Sequence, residues 1–193
     1  MNFRKYIPWI VVAILALWVI SKYNGIAGKD QVVKKSWGDV ESDYQRRSDL
    51  IPNLVNTVKG YANFEKETLT KVIEARASAT QMKVDASNLT PEALESFQKA
   101  QGGLSQALGR LMVVAENYPD LKANQNFLDL QAQLEGTENR INVSRKRFNE
   151  AVQDYNTAIV GFPGNLVAML GGFKEKGFFK AAEGADKAPE VKF

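Results

Sequence analysis

The chain has 193 residues, 24% of them charged, a formal net charge of +3, and neither cysteine nor histidine. Disulfides, thiolate metal sites and cysteine nucleophiles are thereby excluded, as are histidine bases, histidine metal ligands, the usual serine triad and a histidine phosphorelay. Three of the 25 basic residues, Arg4, Lys5 and Lys22, lie in residues 1–28 with no acid beside them, so the other 22 are matched by 22 acids, a balance that does not suit a nucleic-acid binder.

In chain order, the first element is an uncharged apolar run from Tyr6 to Ile20 behind Arg4 and Lys5. It is slightly short of the roughly 20 residues that span a bilayer. Tyr23 lengthens it, Lys22 can snorkel, and Tyr6, Trp9, Trp18 and Tyr23 are placed for interfacial belts. Residues 6–23 are expected to cross a membrane once, with 1–28 as anchor and juxtamembrane linker. A cleaved signal peptide is the competing reading, because Gly25–Ala27 set small residues before Gly28. The Trp18–Tyr23 end favours retention. Arg4 and Lys5 favour a cytoplasmic N-terminus, while Lys22, Lys29, Lys34 and Lys35 oppose it.

Beyond Gly28, apolar residues recur at alternating steps of three and four: Val33, Trp37, Val40, Tyr44, Ile51, Leu54, Val58 and Tyr61, with Arg47 as one polar rung. The stripe crosses Pro52 without changing phase, so a kink inside one helix is expected there. A short interruption capped by Asp49 is the alternative. Gly60 is expected to turn the chain, and Asn63 to cap a second helix running to about Val84. A third helix opens on Thr90-Pro91-Glu92 and carries Leu94, Phe97, Gln101, Leu104, Leu108, Leu111, Ala115 and Tyr118 on one face. Gly102, Gly103 and Gly109 are expected to mark close helix–helix approach. A fourth runs from about Asn124 to Val160 with Phe127, Leu130, Leu134, Ile141, Phe148, Tyr155 and Phe162 along one face, widened by Val152 and Ile159.

These lengths predict an all-α protein: a transmembrane helix, then an antiparallel up-and-down four-helix bundle over 29–162, then a short amphipathic or irregular tail over 163–193. The tail begins where Pro163 and Gly164 end the fourth helix, with Asn165 as a candidate cap for a short helix of Leu166, Val167, Met169 and Leu170.

Several blocks together resemble the bacterial LemA family: "YNGI", "SWGDVESDYQRRSDLIPNLVNTVKGYANFEKETLTKVIEAR", "YPDLKANQNFLDLQAQLEGTENRI", "RFNEAVQDYNTAIVGFP" and "APEVKF". The resemblance covers nearly the whole chain from Tyr23. It implies a helical bundle behind one membrane segment, with no assigned catalytic activity, cofactor or substrate. Family members that carry a lipoprotein-type cysteine before the same "YN" suggest a body outside the cytoplasm; this chain has Ser21-Lys22 there.

Two groups of candidate residues emerge. Arg47 and Asp49, with Arg145 and Asn149 approaching from the fourth helix, are expected to form a structural polar network rather than a catalytic site. In the tail, Phe173, Lys174, Lys176, Phe178, Phe179 and Lys180 interleave aromatic and basic residues. They are candidates for contact with lipid headgroups or a partner; the competing reading has the three Phe covering the open end of the bundle. No Glu-x-x-His pair is present, so no di-iron site, other metal or cofactor is expected. "GGLSQALG" lacks the strand and Lys-Ser/Thr of a phosphate loop. "PEVKF" has the form of a C-terminal ligand for a strand-adding domain, though a packed tail is the plainer reading. The expected role is a non-enzymatic interaction or scaffold module at the bacterial inner membrane, bundle outside the cytoplasm. An unidentified protein is its partner, self-association is an option, and nucleic acid is not expected. A lipid-binding protein acting through the tail, or a carboxylate-based hydrolase, is the alternative.

Overall fold

Pro8 sits in the first turn of a helix that then runs without interruption for 53 residues, α1 (Ile7–Lys59). The computed structural model describes residues 6–60 and 65–180. The other helices are α2 (Lys66–Gln81), α3 (Pro91–Ala115), α4 (Pro119–Lys122), α5 (Gln125–Val160) and α6 (Gly164–Gly171), and an extended strap, 173–180, follows. Among the described residues there is no strand.

Residues 6–25 of α1 are all exposed, and Ile26 is the first to be buried. Those twenty residues measure about 30 Å along the axis, the thickness of a bilayer's hydrocarbon core. From Ile26 on, the buried rungs Val33, Trp37, Val40, Tyr44, Arg47, Ile51, Leu54 and Val58 keep the steps of three and four that the sequence displays. The exposed apolar stretch, a candidate membrane span, and the buried-rung helix after it are therefore one helix, and the expected linker within 1–28 is helical from Ile7 onward.

Pro52 lies inside α1. Its missing N–H leaves the Ser48 carbonyl without its ordinary partner four residues on. Arg76 of α2 donates its Nε–H to that oxygen at 2.9 Å, and Ser48 Oγ meets Thr80 Oγ1 at 3.2 Å. α2 thus supplies the bond the proline removes. α1 ends at Lys59 with Gly60 as its cap. Tyr61 and the expected cap Asn63 lie outside the described residues.

Thr90 caps α3, its hydroxyl accepting from Ala93 N–H at 3.2 Å, and Asn124 caps α5, accepting from Phe127 N–H at 3.1 Å. The "PDLK" connection forms the one-turn α4 and buries Leu121. α2 is shorter than expected, stopping at Gln81 rather than near Val84. A methyl group on Gly102, Gly103 or Gly109 would meet nothing within 4 Å, so these glycines do not mark helix–helix approach. A tight approach to α3 is instead made by Gly177, where a Cβ would lie 2.7 Å from Pro91 Cα.

α1 and α5 pack as an antiparallel pair, with Trp37 against Phe148 and Arg47 against Glu138. α3 runs in the same direction as α1, placing Phe97 on Trp37 and Gln101 on Arg47. Two apolar cores result. The one farther from the span joins Ile51, Leu54 and Val58 of α1 to Leu69 and Val72 of α2, Leu104, Leu108 and Leu111 of α3, and Phe127 and Leu134 of α5. The one nearer the span joins Ile26 through Tyr44 to Phe97, Phe148, Tyr155, Ile159 and Val167; it contains no residue of α2, and Val84, Leu89 and Phe179 of the strap complete it.

Candidate functional site

Between the two cores lies the polar layer of Arg47. Its guanidinium donates to Ser105 Oγ at 2.7 Å, Gln101 Oε1 at 2.7 Å, the Gln101 carbonyl at 3.2 Å and Glu138 Oε2 at 2.9 Å, and stacks over the Tyr44 ring at 5.0 Å. Gln101 passes the network on to the Ala79 carbonyl of α2. Arg47 is the expected polar rung, but its partners are not the expected ones. Asp49 is exposed and accepts from Gln45 one turn back, at 2.7 Å. Arg145 and Asn149 lie with the strap. The quartet is therefore two structures rather than one network: position 49 points away from the stripe, and Asn149 sits about three turns along α5 from Glu138 of the Arg47 layer.

The strap is held by side-chain amides that act as an adjacent strand would. Asn156 receives Lys176 N–H at 3.0 Å and donates to its carbonyl at 2.9 Å. Asn149 does the same for Phe179, at 2.9 and 3.0 Å, and Gln98 of α3 for Lys180, at 3.2 and 2.9 Å. Seven helical residues and three extended ones both cover about 10 Å, so Asn149 and Asn156 match the strap's repeat. Gly177 N–H donates to the Leu89 carbonyl at 2.9 Å, Tyr155 Oη to the Lys174 carbonyl at 3.0 Å, and Arg145 to the Lys180 carbonyl at 3.0 Å.

This seating corrects the expected tail surface. Phe179 is 5% exposed, with ring centroids 5.4 Å from Phe148 and 6.0 Å from Trp37, and Arg145 covers it at 4.8 Å. Lys176 is 7% exposed, ion-paired with Asp30 at 2.8 Å and set over Tyr155 at 5.3 Å. Neither is available to lipid or a partner. Phe173 packs on Tyr23 at 5.3 Å, and Lys180 pairs with Glu95 at 3.1 Å. Lys174 and Phe178 remain exposed. Phe162, expected on the buried face of the fourth helix, is 83% exposed, because α5 ends two residues earlier.

Asp30 is a second polar rung, unremarked in the sequence pattern, although it stands four residues after Ile26 and three before Val33. Burial disfavours its charged form, but Lys176 and Lys34 outweigh this and hold the carboxyl below the ordinary range. Burial, then the charge of Asp30, push the Tyr155 hydroxyl up to about 12 against the pull of the Lys174 carbonyl bond. Desolvation raises the Glu41 carboxyl despite the Trp37 indole and Lys83. Asp30 and Glu41 are about 16 Å apart along α1, too far to act as an acid–base pair. No group of acids among the described residues is arranged to hold a metal ion.

Asn156 and Gln98 were not singled out in the sequence. A signal existed: Phe148-Asn149 and Tyr155-Asn156 repeat an aromatic–asparagine pair at seven residues. On the outer side of α1 and α5 lies an open groove of about 530 Å³, lined by Asp39 and Asp43 from α1 and by Arg140, Val143 and Arg147 from α5. These four charged groups make no ion pair among the described residues.

The LemA family profile matches residues 36–193. Magnetosome protein MamQ 2 of Paramagnetospirillum magneticum is 28% identical over 197 residues, covering 91% of this chain and 71% of that protein. MamQ of Magnetospirillum gryphiswaldense is 26% identical over 189 residues, 87% and 68% of the two chains. Protein LemA of Metamycoplasma hominis is 24% identical over 174 residues, 90% and 76%.

Proposed function

The chain belongs to the LemA family, and on that footing we propose that it is a single-pass, membrane-anchored helical protein without catalytic chemistry, acting as an interaction or scaffold module at the bacterial cell envelope. α1, α2, α3 and α5 serve as an antiparallel up-and-down bundle standing outside the cytoplasm. The observation that carries this reading is the uninterrupted α1, which joins the apolar span directly to the core and so holds the bundle at a set height above the bilayer. The interior supports it too, since its buried polar residues Arg47, Gln101 and Lys176 are occupied with one another, the helices and the strap. Free charge lies in the groove between α1 and α5, where Asp39 and Asp43 face Arg140 and Arg147, a surface of mixed sign that suits a polypeptide.

A photo-crosslinking residue at Ser42 or Val143, in intact cells, tests this. A discrete protein adduct that disappears with Arg140→Glu and Arg147→Glu is expected. Absence of any adduct, with the protein at normal level, overturns the groove as the contact surface. Protease added to spheroplasts should digest the bundle; protection places it in the cytoplasm. The lipid-binding alternative through the strap now rests on Lys174, Phe178 and Lys180, the last already paired with Glu95.

A further inference from the structure

The end of the molecule nearest the span carries an apolar face that nothing among the described residues covers. α6 has the sequence GNLVAMLG, with no charged residue. It buries Val167 and Ala168 against the core of Ile26 and Ile159. Leu166, Met169 and Leu170, spaced i, i+3 and i+4, share another face. Met169 is 73% exposed and Leu170 80%, and Phe162, also exposed, lies two residues before the helix.

The height of this face is set by α1. Tyr23 closes the apolar span, and a Cβ on Gly171 would come within 3.0 Å of its ring. Phe173, two residues past the end of α6, packs on the same ring. α6 is therefore beside α1 where α1 leaves the hydrocarbon. Lys22 and Lys174, both exposed, adjoin the two rings and can meet anionic headgroups. We propose that α6 is a second membrane contact: it lies in the headgroup layer of the bilayer that α1 crosses, with Leu166, Met169, Leu170 and Phe162 turned into lipid. α6, rather than the strap, is then the tail's lipid-binding element, and the bundle stands on the membrane at two points, which fixes its tilt. This rests on the reading of residues 6–23 as a span.

The absence of cysteine from the sequence permits a direct test. Full-length protein carrying one spin-labelled cysteine, at Leu166→Cys, Met169→Cys or Leu170→Cys, is placed in nanodiscs of phosphatidylethanolamine and phosphatidylglycerol. Leu17→Cys, within the span, and Val113→Cys, exposed on α3, give the lipid and water references. Collision rates with oxygen and with a water-soluble nickel chelate report depth. The α6 labels should favour oxygen and lie about 5–10 Å below the headgroup boundary, as an interfacial helix does. If they match Val113→Cys while Leu17→Cys reads lipid, the α6 contact is overturned and the anchor stands. If Leu17→Cys itself reads water, the anchor reading fails first, and this inference with it. Low collision with both reagents, accompanied by dipolar broadening, assigns the face to a second copy of the chain and also overturns the proposal.

Discussion

The core near the exposed apolar stretch of α1 and the core away from it solve the same packing problem with different parts. The distal core is mostly aliphatic and is enclosed by four helices joined through short connections. The proximal core is aromatic, with Trp37, Tyr44, Phe97, Phe148 and Phe179 in edge and stacked contacts, and is enclosed by three long helices, the short α6 and a strap. The difference follows from α2, which ends at Gln81 while α1 and α5 continue. A helix that stops halfway leaves a trough; the strap fills it, carrying its backbone polar groups to Asn149, Asn156 and Gln98. The distal half can be read as helix packing alone. The proximal half depends on a segment that returns from the far end of the chain, Lys180 meeting Gln98 across 82 residues.

The sharpest break in that comparison is at Phe179. Phe179→Ala should destabilise the proximal core by about 3–5 kcal/mol, the usual result of truncating a buried ring. Denaturant unfolding followed by fluorescence measures it, and a loss near that of an exposed site means the strap is not part of the core. Next is the layer between the cores. Arg47→Ala, which strands Gln101 and removes the anchor of Glu138, should cost about 2–4 kcal/mol. Arg47→Met with Gln101→Leu should recover most of it, because an apolar layer has nothing to leave unpaired. If the double variant is no better than the single, the layer does more than join the halves.

Asn156→Ala and Asn149→Ala each remove two bonds to the strap and should cost about 1–3 kcal/mol. Amide exchange should quicken at Lys176, Gly177 and Phe179 while the distal core keeps its protection. Acid separates the halves more gently. Asp30 has its pKa lowered by folding, so its contribution is complete above the unfolded value of about 3.9 and is lost as pH falls through the lower folded value. Strap amides should therefore lose protection below about pH 4, and Asp30→Asn should abolish that dependence. Smallest is a gain: Gly102→Ala and Gly109→Ala, with open space at each Cβ, should each stabilise α3 by up to about 1 kcal/mol. A loss at either position reinstates the close approach the sequence suggested.

The helices were legible because burial imposes a period. Val33 through Val58, Leu94 through Ala115 and Phe127 through Ile159 repeat at three and four, and Thr90 and Asn124 stand where caps are needed. The strap was not, because its burial inverts its hydropathy: Lys176 is buried and Phe178 is 45% exposed. Lysine enters the interior only because Asp30 and Tyr155 wait there, residues more than a hundred positions and about twenty positions away. For the same reason Arg145 and Asn149 were legible as polar residues beside the stripe but not as the strap's anchors.

What the sequence determined by itself was therefore local: which faces of α1, α3 and α5 turn inward, where α3 and α5 begin, and that α1 opens with a length of residues fit for lipid. Each of these follows from periodicity and capping, which involve neighbours within a turn or two. Only the tertiary structure decided that α1 carries the apolar stretch and the buried rungs without a joint, that Arg47 answers Gln101 and Glu138 rather than Asp49, and that Phe179 and Lys176 go inside while Leu166, Met169 and Leu170 stay out. Those choices depend on the trough beyond Gln81, a shape that exists only once α1, α3 and α5 have packed.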